Sequence, residues 1–218
     1  MCSHVVINEL LTYTLFCQEL QPDYIIAHDG TNDFFCGMIS DPYLLNEHNL
    51  TYQHEMEDWS HLLHKTEHIS KTQTNIPFEV NNLTMNCIKA YVERKLQFQT
   101  TAELQGSTFI WGLQPLVYSK QSMSIEEIMY FEDIKTLKDP YLHQRKQIQF
   151  LYDYFENNVN LPDRVTLLNF NKYFKRYDEN LTLFQDFVHT NPMGDEIISQ
   201  YYFNFFKNNY LRSDIKNI

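Results

Sequence analysis

Glycine is scarce in this sequence, five in 218 residues. That leaves no flexible linker or low-complexity segment, and no internal repeat is present. Cysteine is equally sparse: Cys2, Cys17, Cys36 and Cys87 include no C-x-x-C pair, which excludes a zinc ribbon or a dithiol redox motif. Four scattered cysteines in a chain of this length are expected to be reduced and partly buried. Positive charge is short as well, with 17 Lys and Arg against 28 Asp and Glu and a formal net charge of -11. A nucleic-acid partner is therefore not expected, because phosphate binding needs clustered Lys and Arg. No apolar run reaches the length of a membrane span, and residues 1–20 lack a basic start and a small-residue cleavage site. The compartment stays unassigned. Without a signal peptide, the triplets at Asn49, Asn82 and Asn180 read as accidental glycosylation signals.

What is present suits a folded chain: 43% hydrophobic and 15% aromatic residues, enough for a substantial core in one domain spanning 1–218. Ser3 is placed to cap an apolar-rich helix over 5–20 that stops before Pro22. A short, partly β-branched run at 24–27 predicts a buried strand, giving helix then strand as in a βαβ layout. The segment 34–77 is irregular and reads as a lid or insertion, with a helix at 56–68. A long amphipathic helix is expected over 83–104, with Met85, Ile88, Tyr91, Val92, Lys95 and Leu96 at helical spacing. Strands follow at 108–113 and 164–169. Ser124 and Glu127 have capping-box spacing at the start of another helix. Pro140 begins a helix over 141–157 with Ile148, Leu151, Tyr152 and Phe155 inward, and a short helix is placed at 170–177. A last helix at 194–211 is expected to turn Ile197, Ile198, Tyr201, Phe205 and Phe206 toward the sheet.

Two stretches carry chemistry. In the first, the strand at 24–27 runs into His28-Asp29-Gly30-Thr31-Asn32-Asp33, where a turn at Gly30 holds Asn32 and Asp33 at the strand's carboxyl end. Ligands bind at that end in open parallel sheets, and a fixed amide there is aimed before charge develops. The bland alternative is an ordinary Gly-Asn-Asp turn. In the second, Asp186 stands three residues before His189 in Asp-Phe-Val-His-Thr-Asn-Pro-Met-Gly. A carboxylate so placed can fix the imidazole's tautomer and leave its other nitrogen as a base.

Gly30-Thr31-Asn32-Asp33 followed far downstream by Asp-x-x-His resembles an SGNH (GDSL-type) hydrolase, over 22–33, 109–115 and 184–201. The resemblance implies an α/β, three-layer, flavodoxin-like fold with a parallel sheet, N-terminally incomplete, of which this chain supplies strands 3, 4 and 5. It implies an acyl-ester hydrolase without cofactor or metal, acting on a small-molecule, glycan or lipid ester through serine attack and an acyl-enzyme. Asn32 would be the oxyanion donor, Gly30 the turn that permits it, His189 the base, Asp186 its orienting partner, and Asp33 a structural tie. The family's Gly-Asp-Ser-Leu block is missing, so the nucleophile is unassigned and little activity is expected; Ser3 better suits a helix cap. The strand at 24–27 would then be an exposed edge inviting self-association.

Two other readings stand beside this one. The chain could be a non-catalytic binding or assembly module on the same scaffold. It could also bind metal through His61, His64 and His68, at i, i+3 and i+7, with His54 and Glu57 nearby, although a polar helix face explains that cluster as well. His28 reads as structural, and the aromatic stretch 201–206 as packing.

Overall fold

Pro22 ends the first helical segment, and Gln21 before it takes a left-handed φ of 47°, so the chain leaves helix and enters the β-branched run extended. The computed structural model describes residues 6–34, 82–129 and 142–210. Ser3, Cys2, Cys36, the lid expected beyond Phe34, its helix at 56–68 and the histidine cluster lie outside the described residues. The described chain is mixed α/β, with a small three-strand parallel sheet and helices. Its strands are β1 (Tyr24–Asp29), β2 (Thr108–Leu113) and β3 (Thr166–Asn169), adjacent in chain order. β1 runs two residues beyond its expected end because His28 and Asp29 continue the parallel ladder opposite Gly112 and Leu113.

Two compact units make up the chain, Met1–Leu113 with His143–Leu168, and Gln114–Leu142 with Asn169–Ile218. In the first, α1 (Val6–Thr12) gives way to a π turn at Tyr13–Cys17 and a 3₁₀ turn at Gln18–Leu20. The regular helix expected over 5–20 thus loosens halfway. Thr14 Oγ1 donates back to the Leu10 carbonyl at 2.8 Å, a bond that competes with the helical ladder. Beyond that point the apolar side chains face solvent, with Phe16 73% exposed.

The helix α2 (Asn82–Leu104) also differs from its expected face. Ile88, Tyr91 and Lys95 are buried as the spacing predicts, but Met85 is 40% exposed and the buried stripe continues through Phe98, Gln99 and Ala102. The stripe rotates because polar groups on it find partners. Gln99 accepts from the Trp111 indole at 3.0 Å and donates to the Arg164 carbonyl at 3.2 Å. α3 (Leu142–Asn158) buries Ile148, Leu151, Tyr152 and Phe155 as its periodicity requires. Phe34 packs edge-on against Tyr91 and Tyr152, with ring centroids 5.0 and 5.2 Å apart.

In the second unit, α4 (Phe170–Phe174) starts at Asn169, whose side chain accepts from the Lys172 N–H at 2.8 Å. α5 (Pro192–Asn209) starts at Asn191, with Pro192 in its first turn. Its expected apolar face, from Ile197 to Phe206, is half-buried. No described helix is long and apolar enough to cross a membrane.

Candidate functional site

In the first unit, the strand-end turn is built around Gly30. Its φ of +129° belongs to glycine, and a Cβ there would come within 2.8 Å of Leu113 Cδ1 and 3.0 Å of the Tyr152 hydroxyl. The Phe34 N–H donates to the Gly30 carbonyl at 3.1 Å, so residues 31–34 form a helical turn directly after the strand. Asn32 and Asp33 therefore stand in a first helical turn rather than an open loop. Asn32 is half-buried, while Thr31 is buried with its hydroxyl 2.9 Å from that of Tyr152. Asp33 is buried and accepts the Val6 N–H with both oxygens, at 3.1 and 3.3 Å, tying the start of α1 to this turn.

Beneath the turn, two carboxylates share one buried lysine. Lys95, on α2, is ion-paired to Asp29, donates to the Ala27 carbonyl at 3.3 Å, and lies 3.8 Å from Glu9 Oε2. Tyr91 donates to the other oxygen of Asp29 at 3.1 Å. Lys95 and the buried Arg94 both favour the charged form of Asp33, but burial and the Asp29 charge outweigh them. Burial, and then the Asp29 charge, push Glu9 up to about 9. The same two causes push Asp33 up to about 8. Burial raises the Tyr91 hydroxyl well above its ordinary range, and the neighbouring carboxylates add to that. At neutral pH Glu9 and Asp33 hold their protons and Asp29 pairs with Lys95.

In the second unit, His189 sits on a tight loop. Phe184 and Thr190 form an isolated antiparallel bridge, the Gln185 N–H donates to the His189 carbonyl at 2.9 Å, and the Asn191 N–H donates to the Leu183 carbonyl at 2.9 Å. Within this loop Asp186 accepts the Val188 and His189 N–H groups at 2.8 and 2.7 Å through one oxygen. Its other oxygen meets His189 Nδ1 at 2.6 Å. Burial pushes the Asp186 carboxyl up, but those hydrogen bonds outweigh it and hold the group below the usual aspartate range. His189 itself is exposed, so its ring is both oriented and reachable. Such a pair can place Nε2 as a proton acceptor.

Gly194 closes the loop against α5. A Cβ on it would meet the Leu183 carbonyl oxygen at 2.5 Å and Thr190 Cβ at 2.8 Å, so the backbone approach needs glycine. Asn191 caps the helix by accepting from Met193 and Gly194 N–H, both at 3.0 Å, and its amide donates to the Thr182 carbonyl at 2.8 Å. From the preceding segment the Val117 N–H donates to the Phe187 carbonyl at 3.0 Å, and the Gln114 amide to that of Val188 at 3.2 Å.

Asp186 and His189 are thus brought together in the second unit, while Gly30, Asn32 and Asp33 belong to the first. The sequence pattern places Lys95 on the helix face but assigns no role to it, to Glu9 or to Asp29. A lysine repeating in phase with apolar residues was the available signal, since unpaired lysine is almost never buried. Asn191 had a signal too, an Asn-Pro pair opening a helix. Burial pushes the Cys87 thiol up to about 12, which suits an inert core thiol. Among the described residues no group of three or more His, Cys, Asp and Glu is arranged to hold a metal ion. Comparison with family models, curated proteins and solved structures returned no match.

Proposed function

We propose that this chain is an acyl-ester hydrolase scaffold of the SGNH (GDSL-type) kind, carrying the base and the oxyanion donor of a serine esterase. The observation that carries the reading is the 2.6 Å contact between His189 Nδ1 and Asp186, with the histidine exposed. In this reading Asp186 holds the tautomer and His189 takes the nucleophile's proton and later returns it to the leaving oxygen. Asn32, in the turn that only Gly30 permits, stabilises the oxyanion as charge develops. No Gly-Asp-Ser-Leu block stands in the sequence, so the nucleophile is unassigned and turnover by the chain alone is expected to be weak.

Hydrolysis of p-nitrophenyl acetate tests this, because the oxyanion donor separates catalysis from the reactivity of any exposed imidazole. His189→Ala should lower the rate on the order of 10²-fold or more. Asn32→Ala should lower it by about 10²-fold with KM little changed. Equal rates for wild type and His189→Ala remove the histidine from catalysis. A loss in His189→Ala alone leaves a surface imidazole and no oxyanion site.

A second reading, an assembly module, is favoured by the edge of the sheet. β1 is an outer strand of the described sheet, and its Tyr24 and Ile26 are 41% and 44% exposed. Open apolar edges pair with other chains. Sedimentation over a wide concentration range should show self-association that Ile26→Lys abolishes; a sharp monomer at high concentration sinks this reading.

A further inference from the structure

Glu127 was recognisable in the sequence only as the third residue of a helix cap. It does form that cap: the Ser124 N–H donates to Glu127 Oε2 at 2.8 Å and the Glu127 N–H donates to Ser124 Oγ at 3.2 Å. An ordinary capping glutamate makes that one bond at the surface. This one is 1% exposed, and its other oxygen serves a segment more than fifty residues away. Glu127 Oε1 accepts the N–H groups of Leu183 and Phe184 at 2.8 and 3.1 Å. Lys120, also buried, donates to Oε2 at 2.5 Å and to the Leu181 carbonyl. Four donors meet the two oxygens, which satisfies the buried carboxylate.

Those donors matter because of where they lie. Phe184 forms the bridge that closes the Asp186–His189 loop, and Leu183 accepts from Asn191 at the helix start beyond it. The entry side of the loop's base is therefore tied to one carboxylate, and the Phe184–Thr190 bridge and the Asn191 bond hold the exit side to it. We infer that Glu127 is a positioning residue for the Asp186–His189 pair, holding the base of their loop so that the carboxylate and the imidazole meet. The inference deepens the hydrolase reading given above, but the geometry it concerns is measurable without turnover.

The test uses the full chain and two charge-balanced variants. Lys120→Met/Glu127→Leu removes the acceptor for Leu183 and Phe184 without stranding a buried ammonium. Lys120→Met/Glu127→Gln removes the same charges and keeps a side-chain oxygen for those two N–H groups. Carbon-detected NMR titration of the Asp186 carboxyl reads the loop, because three hydrogen bonds from Val188 and His189 hold that group low. In the Leu variant it should rise, because burial, which pushes the carboxyl up, is no longer outweighed by those hydrogen bonds. In the Gln variant it should stay where the wild type has it. A purely structural role, cap or charge balance, would move both variants together or neither, and either result overturns the inference. Should the Leu variant fail to fold, amide exchange in the wild type decides. Slow exchange at Leu183 and Phe184, matching the core of α5, supports the tie, and rapid exchange overturns it. If Asp186 moves as expected while His189→Ala leaves ester hydrolysis unchanged, the positioning role stands and the hydrolase reading falls.

Discussion

Raising the pH from about 5.5 to 7 should weaken this protein steeply, in the opposite sense to ordinary acid denaturation. The cause is the cluster of Glu9, Asp29 and Asp33 around Lys95. In the folded state Glu9 is raised from 4.5 to about 9 and Asp33 from 3.8 to about 8. In the unfolded chain both are ionised above about pH 5.5. Between pH 5.5 and 7 the folded state thus holds two protons that the unfolded state has lost. Stability then falls as pH rises, by about 1.4 kcal/mol per pH unit for each proton, or about 2.7 for the pair. That slope is an upper bound, since the Glu9 side chain keeps 25% of its exposure. Over one and a half units it would remove at most about 4 kcal/mol, against the roughly 5–15 kcal/mol typical of a domain. The contribution is fully present below the unfolded values near 4 and is exhausted above about pH 9. Asp186, Glu126 and Glu179 are lowered, so their linkage acts at acid pH and does not mask the window. Urea unfolding at constant ionic strength, followed by far-UV circular dichroism from pH 5 to 9, reads the slope. Glu9→Gln should about halve it, and Glu9→Gln/Asp33→Asn should flatten it while the Asn oxygen still accepts from Val6. A flat or rising profile in the wild type, or an unchanged slope in the double variant, refutes the reasoning.

Lys95→Met should destabilise at neutral pH by about 3–5 kcal/mol, because Asp29 is left buried without its cation; a change under 1 kcal/mol in urea unfolding would show the pair to be dispensable. Gly30→Ala should cost about 2–4 kcal/mol, combining a left-handed φ with overlap on Leu113 and Tyr152. Thermal unfolding of that variant at the wild-type temperature would mean the turn relaxes freely. Asn191→Ala should cost about 1–2 kcal/mol through the lost helix cap, measured by urea unfolding. Gly194→Ala pushes on the Leu183 carbonyl and should move the amide resonances of 184–190 well beyond its immediate neighbours; shifts confined to 193–195 would contradict that.

Local physics made the strands legible. Expected runs at 24–27, 108–113 and 164–169 correspond to strands at Tyr24–Asp29, Thr108–Leu113 and Thr166–Asn169, because β-branched residues between Pro and Gly punctuation have one favourable local conformation. The contact of Asp186 with His189 was legible for the same reason, since three residues of separation let a short loop close on itself. Which face of α2 turns inward was not. Met85 looked as apolar as Ile88, and only packing decided that Met85 stays out while Gln99 goes inside, where Trp111 awaits it. The link from Glu127 to Leu183 and Phe184 was equally invisible, because hydrogen bonds across 56 and 57 residues leave no spacing signal. Sequence alone determined the parallel α/β elements and the local Asp-His pair, because neighbouring residues settle backbone propensity and short loops. Tertiary structure decided which charges are buried, who neutralises them and what holds the loop. Those choices depend on the low-dielectric surroundings that only the assembled chain creates.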